Sequence, residues 1–423
     1  MNAESIELSV VIPTRNEAGN IAAAVRETTR VCERMGARFE VVVVDAGSAD
    51  GTGQIAAEAG ARVVTQVRPG YGGAIVDGFE TAHGEFVLTM DADLSHPPEF
   101  IPRLWRERDG ADLVIASRYV PGGFAEMPFD RYLLSKVLNA FFSITLAFPV
   151  RDQSSGFRLY RRDAVPLGDL TGADFSLLQD LLIRMHNAGR RIREVPFYYR
   201  PRVAGSSNAR VFAFGISYLR TFARHWRRRH GPDAADCEFR GASSLNPVRR
   251  ALLAKRYATI REAVDGCEKI LIAGSGSSVF AATYPGVTAL DLNEAKVRFL
   301  AGRGANAVCA DARAMPFADG AFDAVVATWM VAMASGRGAL AECARVLAPG
   351  GVFVVHVPDA RGLTWRMIAA LRAWTPLRVT MPDDMAAPDI DALARELDGF
   401  GVRVERTASL LGVECILVGR RSG

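Results

Sequence analysis

Two aspartates spaced two residues apart are the side chains of this sequence most suited to chemistry. Asp91 and Asp93 lie in the segment MDADLSHPPEF, directly after the apolar run Phe86–Met90. That run predicts a buried strand, and residues i and i+2 of a strand share one face. Paired carboxylates of this kind can hold a divalent cation together with substrate phosphates. The spacing predicts a metal–diphosphate site, and the alternative is a solvated acidic loop.

The elements that must position this pair alternate between strand and helix. Strands are predicted at Leu8–Thr14, Phe39–Asp45, Arg62–Gln66, Phe86–Asp91 and Leu113–Ser117, with a helix at Glu17–Met35 and a glycine-rich turn at 70–73. This rhythm predicts a parallel sheet with helices on both faces. Polar residues follow several strand ends, which meet in the crevice where such sheets bind ligands. These residues are Pro13, Arg15, Glu17, Asp45 and Arg118.

Length and composition predict two globular domains, or three small ones. The 423 residues are 49% hydrophobic and 23% charged, and the net charge of +4 is too small to indicate a nucleic-acid partner. The six cysteines are dispersed, which favours buried thiols in a reducing compartment over a metal knuckle. The N-terminus lacks a signal-peptide pattern, and Val137–Val150 is shorter than the ~20 apolar residues of a spanning helix. We therefore expect a cytoplasmic protein.

A change of pattern divides the chain. The first alternating series stops near residue 230, and the polar residues 231–247 predict a linker. A helix is predicted at Val248–Val264, followed by strands at 269–273, 287–292, 307–310, 324–328 and 352–357. The predicted domains are thus 1–230 and 248–423, both of the α/β class.

Ordered motifs within residues 8–225 resemble the family-2 glycosyltransferases, and most closely the polyprenyl-phosphate (dolichol-phosphate-type) mannosyltransferases. The motifs are SVVIPTRNEAGNI, VVVVDAGSADGT, MDADLSHPPEFIP, ADLVIASRYVPGG and SSGFRLYRRDA. The resemblance implies a glycosyltransferase A-type (Rossmann-like) fold and a nucleotide-sugar donor. It also implies Mg²⁺ or Mn²⁺ and a polyprenyl-phosphate acceptor, met by a peripheral protein at the inner face of the membrane.

The resemblance also assigns roles to individual residues. The catalytic set is Asp91, Asp93, Arg118 and Asp152, and the metal ligands are Asp91, Asp93 and Ser95. The donor-binding positions are Pro13, Arg15, Glu17, Val44, Asp45, Ala92 and Arg202. The acceptor phosphate is assigned to Arg131 and Ser135.

Departures from the family pattern leave the donor open. Ala46 replaces an acid that normally helps to read the base, Arg15 replaces an aromatic residue, and Asn208 replaces a lysine. GDP-mannose is the expected donor and UDP-glucose the alternative. A non-catalytic glycan- or lipid-binding protein is the alternative from a different class, although the retention of both Asp91 and Asp93 favours an enzyme.

The chemistry of the implied acceptor removes the need for a strong base. A phosphate monoester has a second pKa of about 6, so it is largely a dianion at neutral pH and is already a nucleophile. Arginines can align it through their planar forks. Direct displacement would invert the anomeric centre, and we expect a structural role for His96.

Two segments could meet a membrane surface. Residues 211–226 place apolar side chains at helical spacing beside a cluster of arginines, as in interfacial helices, and Val137–Val150 is a second candidate. The alternative for either is a helix whose apolar face packs against the core.

The second series carries small residues after its first strand, at Gly274-Ser275-Gly276-Ser277-Ser278. With the later runs DARAMPF and ARVLAPGG, it resembles class I S-adenosylmethionine-dependent methyltransferases. The resemblance implies that Gly274, Gly276, Asp291 and Asp311 bind that cofactor and that the domain methylates a related product. Ile272 and Ser278 depart from the glycine motif, so a degenerate, structural domain is the alternative.

Overall fold

The alternation of apolar strands and amphipathic helices builds two sheets, one in each half of the chain. A computed structural model describes residues 5–126, 129–168, 174, 176–199, 222, 225–226, 228–231, 234–242, 246–333, 336, 338–371 and 386–423, without the side chains of 129–131, 134 and 371. The chain divides into two units, Met1–His186 with Arg190–Trp226 and Asn187–Gly189 with Arg227–Gly423. The segment predicted as a linker includes the helix Cys237–Ala242.

The sheet of the first unit has the order β3-β2-β1-β4-β7-β5-β8. Its strands are β1 Leu8–Thr14, β2 Phe39–Asp45, β3 Arg62–Thr65, β4 Phe86–Thr89, β5 Leu113–Ser117, β7 Arg158–Arg161 and β8 Ile192–Pro196, and β6 Phe124–Ala125 pairs separately with β9 Tyr198–Tyr199. The helices are α1 Ile21–Met35, α2 Thr52–Glu58, α3 Gly70–Thr81, α4 Ile101–Arg106, α5 Phe129–Thr145 and α6 Ser176–Asn187. Apolar clusters cover both faces of the sheet, which confirms the α/β class.

The prediction of a fully parallel sheet was wrong at one strand. β7 runs antiparallel to both β4 and β5. Its first residue, Arg158, is fully buried and donates to the carbonyls of Leu178 (2.7 Å) and Gln153 (2.7 Å). Arg158 can be buried because backbone carbonyls accept its hydrogen bonds. A strand that begins with an arginine has no apolar pattern, so β7 was not predicted from the sequence.

The predicted glycine-rich turn at 70–73 is instead the first turn of α3. Gly73 is required there, because a Cβ at this position would lie 2.2 Å from the carbonyl oxygen of Arg68. Helix α1 begins at Ile21 rather than at Glu17, because the Asn20 amide first closes a turn on the Glu17 carbonyl (2.9 Å).

The sheet of the second unit has the order β12-β11-β10-β13-β14-β16-β15. Its strands are β10 Ile270–Ala273, β11 Val287–Asp291, β12 Asn306–Cys309, β13 Phe322–Thr328, β14 Leu347–Pro358, β15 Val402–Leu410 and β16 Glu414–Arg421. Its helices are Cys237–Ala242, Pro247–Ala263, Val279–Thr283, Glu294–Ala301, Ala339–Val346, Leu363–Leu371 and Ile390–Gly399. Among the described strands of this sheet, β16 runs opposite to the others and pairs antiparallel with β14 and β15. The strand order reverses between β10 and β13.

Across the described residues, no helix combines the length and the apolar character needed to cross a bilayer.

Candidate active site

The carboxyl ends of three neighbouring strands meet at one edge of the first sheet. Pro13 and Thr14 of β1 lie opposite Val44 and Asp45 of β2. On the other side of β1, the amide of Met90 extends the β4 pairing by donating to Val11 (3.1 Å). The strand order reverses at β1 and β4, where open α/β sheets bind ligands. The edge therefore gathers Pro13, Val44, Asp45 and the Asp91 loop, as the sequence predicted.

The loops after β1 and β2 brace each other. Asn16, in the left-handed region at φ 57°, donates its amide to Ser48 Oγ (2.9 Å), and Glu17 donates its amide to Thr52 Oγ1 (2.8 Å). The Asp45 carboxylate accepts the Ser48 amide (3.2 Å) and hydroxyl. These hydrogen bonds fix the conformation of the loop that carries Arg15 and Glu17 after Pro13 of β1. Sequence reasoning missed Asn16, Ser48 and Thr52, because polar residues in a turn carry no signal of long-range pairing.

Asp91 and Asp93 occupy different environments. The Asp91 side chain is 28% exposed, whereas Asp93 is buried. Oδ1 of Asp93 accepts the amide (3.1 Å) and the hydroxyl (2.6 Å) of Ser95. Ser95 thus supports Asp93 directly, and its role as a metal ligand stays a prediction. Ala92, between the two acids, is buried.

His96 is packed as a structural residue. Its Nδ1 accepts the Asp91 amide (3.0 Å), and its ring stacks on Phe157 with centroids 5.0 Å apart. Burial lowers the pKa of His96, which favours a neutral ring. The charges of Asp91, Asp93, Arg118 and Asp152 all act on this ring. The carboxylate of Asp91 lies 3.8 Å from Nδ1 of this buried ring, and Asp93, Arg118 and Asp152 are within its electrostatic reach.

Arg118 and Asp152 form a buried, bidentate ion pair. Nε and Nη2 of Arg118 each donate to a different oxygen of Asp152 at 2.8 Å, and the Arg118 amide adds a third bond (3.0 Å). Burial raises the pKa of Asp152, but the Arg118 charge outweighs it and holds that pKa below its usual value. Asp152 is completely buried and Arg118 is 11% exposed. Asp152 accordingly positions Arg118, and contact of Asp152 with a reacting sugar stays a prediction.

Tyr71 is a site residue that sequence reasoning missed. Its hydroxyl donates to the carboxylate of Asp91, and burial followed by the Asp91 charge raises the pKa of Tyr71 well above its usual value. Gly156 makes room for this contact, because a Cβ there would lie 2.8 Å from the Tyr71 oxygen and 3.7 Å from Asp91 Oδ1. The available signal was the aromatic residue inside the glycine-rich segment at the start of α3.

The predicted acceptor residues are described only in part. Ser135 of α5 accepts a hydrogen bond from the Tyr119 hydroxyl (2.7 Å), and Tyr119 follows Arg118 directly. This contact links α5 to the Arg118 loop. The Arg131 side chain and Arg202 lie outside the described residues, as do most of residues 211–226.

Asp91 and Asp93 can bind a divalent cation only when the substrate supplies its remaining oxygen ligands. Across the described residues, no cluster of three or more His, Cys, Asp or Glu side chains could hold a metal ion. Asp91 and Asp93 supply hard oxygen donors, and Mg²⁺ is commonly bound by one or two carboxylates plus substrate phosphates. The site therefore fits a cation that arrives with a diphosphate.

Three of the four predicted cofactor residues of the second unit, Gly274, Gly276 and Asp291, lie together at the edge where its strand order reverses. Gly274 and Gly276 have φ values of 67° and 57°, and a Cβ on Gly276 would meet nothing within 4 Å. Asp291 accepts the amides of Gly276 (2.7 Å) and Asn293 (2.8 Å), so it shapes the glycine loop. This open backbone suits close approach by a nucleoside ligand.

Asp311 stands apart from these contacts. It lies after β12 and pairs with Arg313 (2.7 Å), whose hydrogen bonds lower the pKa of Asp311 to about 2. Its carboxylate is therefore charged at neutral pH, and its contact with an adenine amine stays a prediction.

Comparison with known proteins gives a match in each unit. The family model described as Glycosyl transferase family 2 matches residues 9–166. The model described as Methyltransferase domain matches residues 271–355. These matches confirm both resemblances found in the sequence.

Curated relatives align with the first half of the chain. A dolichol-phosphate mannosyltransferase of Pyrococcus furiosus is 35% identical over 52% of this chain, which spans 63% of that protein. A polyprenol monophosphomannose synthase of Mycolicibacterium smegmatis is 37% identical over 47% of this chain and 79% of that protein.

A solved structure, the glucosyl-3-phosphoglycerate synthase of Mycobacterium tuberculosis, covers 54% of this chain and 80% of its own at 24% identity, with a TM-score of 0.43. Similarity at that level assigns neither a fold nor a ligand. The family match and the relatives, by contrast, agree with the residues gathered at the edge of the first sheet. The chain belongs to glycosyltransferase family 2.

Proposed function

We propose that the first unit transfers a hexose, mannose in the first instance, from a nucleoside diphosphate to a polyprenyl phosphate. The observation that carries the proposal is the position of Asp91, 3.8 Å from the buried His96, at the edge where the strand order reverses between β1 and β4. Asp93, Arg118 and Asp152 act electrostatically on the same ring. The names of the two mannosyl-transferring relatives support the choice of sugar and acceptor.

The donor diphosphate is assigned to the exposed side of Asp91. Mg²⁺ or Mn²⁺ held by Asp91 and Asp93 would neutralise charge that develops on the leaving diphosphate. Tyr71 and Ser95 orient the two carboxylates from behind. The two hydrogen-bonded loops after β1 and β2, with Pro13, Glu17 and Asp45, are proposed to bind the nucleoside of the donor.

The reaction itself needs little from a base. An oxygen of the acceptor phosphate attacks the anomeric carbon while the bond from that carbon to the diphosphate oxygen breaks, which inverts the centre. Arg118, held in place by Asp152, is proposed to align a phosphate together with the predicted acceptor residue Arg131. His96 does not serve as the base through Nδ1, because that atom accepts the Asp91 amide.

UDP-glucose is the second candidate donor. Ala46 brings no carboxylate to the loop that usually reads the base, and Asp45 is engaged by Ser48 of its own loop. The described side chains of this loop thus provide no contact specific for guanine. A donor with uracil as its base is therefore compatible with the loop.

A lipid acceptor implies contact with a membrane surface, and α5 is the described element suited to it. Four of its apolar side chains are 40–67% exposed at near-helical spacing, namely Leu133, Val137, Phe141 and Ile144. Such a stripe beside the Tyr119–Ser135 contact would place lipid next to the acceptor phosphate. The stripe supports peripheral attachment to a membrane, which we propose occurs at its inner face.

The second unit is proposed to use S-adenosylmethionine to methylate a product related to the lipid-linked sugar. The methyltransferase match and the open glycine loop support this. Such transfer can proceed by proximity alone, so no signature base is required.

A transfer assay with radiolabelled donors tests the proposal. Wild-type protein with Mg²⁺ and a polyprenyl phosphate should move label from GDP-mannose into the organic phase, and should do so less or not at all from UDP-glucose. A reversed preference would select the second candidate. No transfer from either donor, with the protein folded, would support the non-catalytic alternative.

A further inference from the structure

Helix α5 carries a line of polar side chains on the side opposite to its exposed apolar stripe. Ser135, Asn139 and Ser143 recur every four residues, and residues at this spacing share one face of a helix. Asn139, at the centre of the line, is 2% exposed. Because buried polar groups are almost always hydrogen-bonded, the partners of Asn139 show what this face of α5 holds in place.

The side-chain amide of Asn139 joins α5 to the loop between α5 and β7. Its Oδ1 accepts the backbone amide of Gln153 (2.8 Å). Its Nδ2 donates to the carbonyl of Ser135 (2.8 Å) and also lies within hydrogen-bond distance of two hydroxyls, Oγ of Ser154 (3.3 Å) and Oγ of Ser135 (3.5 Å). Both ends of the amide are therefore used, and one end reaches the loop that carries Asp152.

Ser154 connects Asn139 to the buried ion pair of the first unit. Its Oγ accepts from Nη2 of Arg118 (2.8 Å) and from Nδ2 of Asn139 (3.3 Å), and it donates to Oδ1 of Asp152 (3.3 Å). A hydroxyl has one proton to donate and two lone pairs to accept with, so these three contacts use all of them. The hydroxyl of Ser154 is thereby held in one orientation, with a lone pair directed at the Arg118 guanidinium.

The same contacts leave a hydrogen-bond donor for a ligand on each side of Asn139. Among the described residues, Nε and Nη2 make the hydrogen bonds of the Arg118 guanidinium, so Nη1 can still donate. On the helix, Oγ of Ser135 accepts from the Tyr119 hydroxyl (2.7 Å) and from Asn139, so Ser135 can donate its own proton. Donors of this kind, one of them charged, suit a phosphate.

We propose that Asn139 is a positioning residue, which holds Ser135 and Arg118 so that both can bind the phosphate of the acceptor. The inference rests on the proposed transfer to a polyprenyl phosphate. Asn139 does not touch the substrate in this account and acts through Ser135 and Ser154. Because α5 also carries the exposed apolar stripe, the same amide sets the helix that is proposed to meet lipid relative to the Arg118 guanidinium.

Steady-state kinetics of the full chain, with each substrate varied in turn, test this role. Asn139→Asp keeps an acceptor for the Gln153 amide and, as a carboxylate, loses the donors to Ser135 and Ser154. We expect the KM for polyprenyl phosphate to rise about 10-fold, which corresponds to ~1.4 kcal/mol, and the KM for the nucleotide sugar to stay at the wild-type value. A purely structural defect would lower the active fraction, and so kcat, without separating the two KM values.

Ser143→Ala is the matched control for this experiment. Ser143 lies one turn further along α5 and bonds to the same loop, because its hydroxyl donates to the Val150 carbonyl (2.8 Å) and accepts from Nε2 of Gln153 (3.0 Å). Among the described residues it makes no hydrogen bond to Ser154 or Arg118. Ser143→Ala should therefore lower the thermal midpoint but leave both KM values unchanged.

Ser154→Ala tests the route through the loop and decides the question if Asn139→Asp does not fold. It should raise the KM for polyprenyl phosphate, and the double variant should raise it no further than the larger single effect, since residues of one network are not additive.

An unchanged acceptor KM in folded Asn139→Asp, or an equal rise in both KM values, would overturn the positioning role. Effects that multiply in the double variant would also overturn it. A folded wild type that transfers no hexose would instead overturn the function on which the inference rests.

Discussion

At the scale of single residues, the hydroxyl of Tyr71 donates a hydrogen bond to the carboxylate of Asp91. Tyr71→Phe removes the hydrogen bond to Asp91 and keeps the ring that packs against the core. Groups behind a metal ligand typically contribute 10–100-fold to metal affinity. We therefore expect the Mn²⁺ concentration for half-maximal hexosyl transfer to rise at least ~10-fold, with a smaller change in the rate at saturating metal.

A matched tyrosine provides the control for that experiment. Tyr198→Phe removes another hydroxyl of the same unit, which donates to Glu126 (2.8 Å), and should leave the metal dependence unchanged. If both variants shift the Mn²⁺ dependence equally, or neither does, Tyr71 has no special role in holding Asp91.

The Arg118–Asp152 pair is expected to matter for stability as well as for catalysis. Asp152→Asn leaves a buried guanidinium without its counter-charge, which typically costs ~3–5 kcal/mol. Urea denaturation followed by the circular dichroism of the full chain should show a lower midpoint for the first unit. An unchanged midpoint would mean that the pair is not buried as described.

The lowered pKa of Glu414 predicts that the second unit loses stability at acidic pH. Burial raises its pKa, but His356 and Arg256 outweigh burial and lower that pKa from 4.5 to about 2. The stabilisation is complete above the unfolded-state pKa and is lost as the pH falls toward 2. It amounts to about 3 kcal/mol, at ~1.4 kcal/mol per pKa unit.

Hydrogen exchange of residues 402–421 measures that contribution. In wild type, the opening free energy should fall between pH 5 and pH 3. In Glu414→Gln it should be lower at pH 6 and should change less over the same range. A wild-type free energy independent of pH across this range would contradict the lowered pKa.

Sequence alone could identify the charged residues but not their partners. Asp91, Asp93 and Arg118 were found because acids and arginines at strand ends are recognisable. The tyrosine behind Asp91, the serine on Asp93 and the aspartate on Arg118 become partners only through contacts across the fold. An isolated tyrosine or serine is too common in sequences to indicate such a contact.

At the scale of single elements, helix α5 exposes a stripe of apolar side chains that does not pack against the core. Val137, at 55% exposure, lies near the middle of its apolar stripe. Val137→Asp should reduce flotation of the protein with anionic vesicles that contain polyprenyl phosphate, because a charge does not enter the lipid interface. Transfer to a short, water-soluble prenyl phosphate should be retained.

A valine in the second unit serves as the control for α5. Val248 is 64% exposed, and Val248→Asp should float like wild type. Equal flotation of Val137→Asp and wild type would contradict the role of α5 in lipid binding.

The strand and helix bounds show which elements a sequence can define. β1, β2 and β5 begin and end where the apolar runs predicted, because each contains an unbroken run of buried residues. The antiparallel β7 and the glycine-rich start of α3 were not recognised. In both, tertiary contacts overrode local preference, with carbonyls satisfying Arg158 and a close backbone approach requiring Gly73.

At the scale of the whole molecule, two α/β units place their candidate sites by the same rule. In each, the polar loops follow the strands at which the sheet order reverses, β1 and β4 in the first unit and β10 and β13 in the second. The alternating pattern made both sheets predictable, and the motifs at the reversal points distinguished their chemistry.

Metal-dependent hexosyl transfer by the full chain and its aspartate variants tests the central claim most directly. With Mn²⁺ and polyprenyl phosphate, wild type should transfer labelled hexose, and Asp91→Asn and Asp93→Asn should each lose at least ~100-fold of that rate, since each carboxylate contributes several kcal/mol of charge stabilisation. Asp109→Asn, at an acid that is 79% exposed, is the matched control and should keep the wild-type rate. Undiminished transfer by folded Asp91→Asn and Asp93→Asn, or by wild type in excess chelator, would contradict the account.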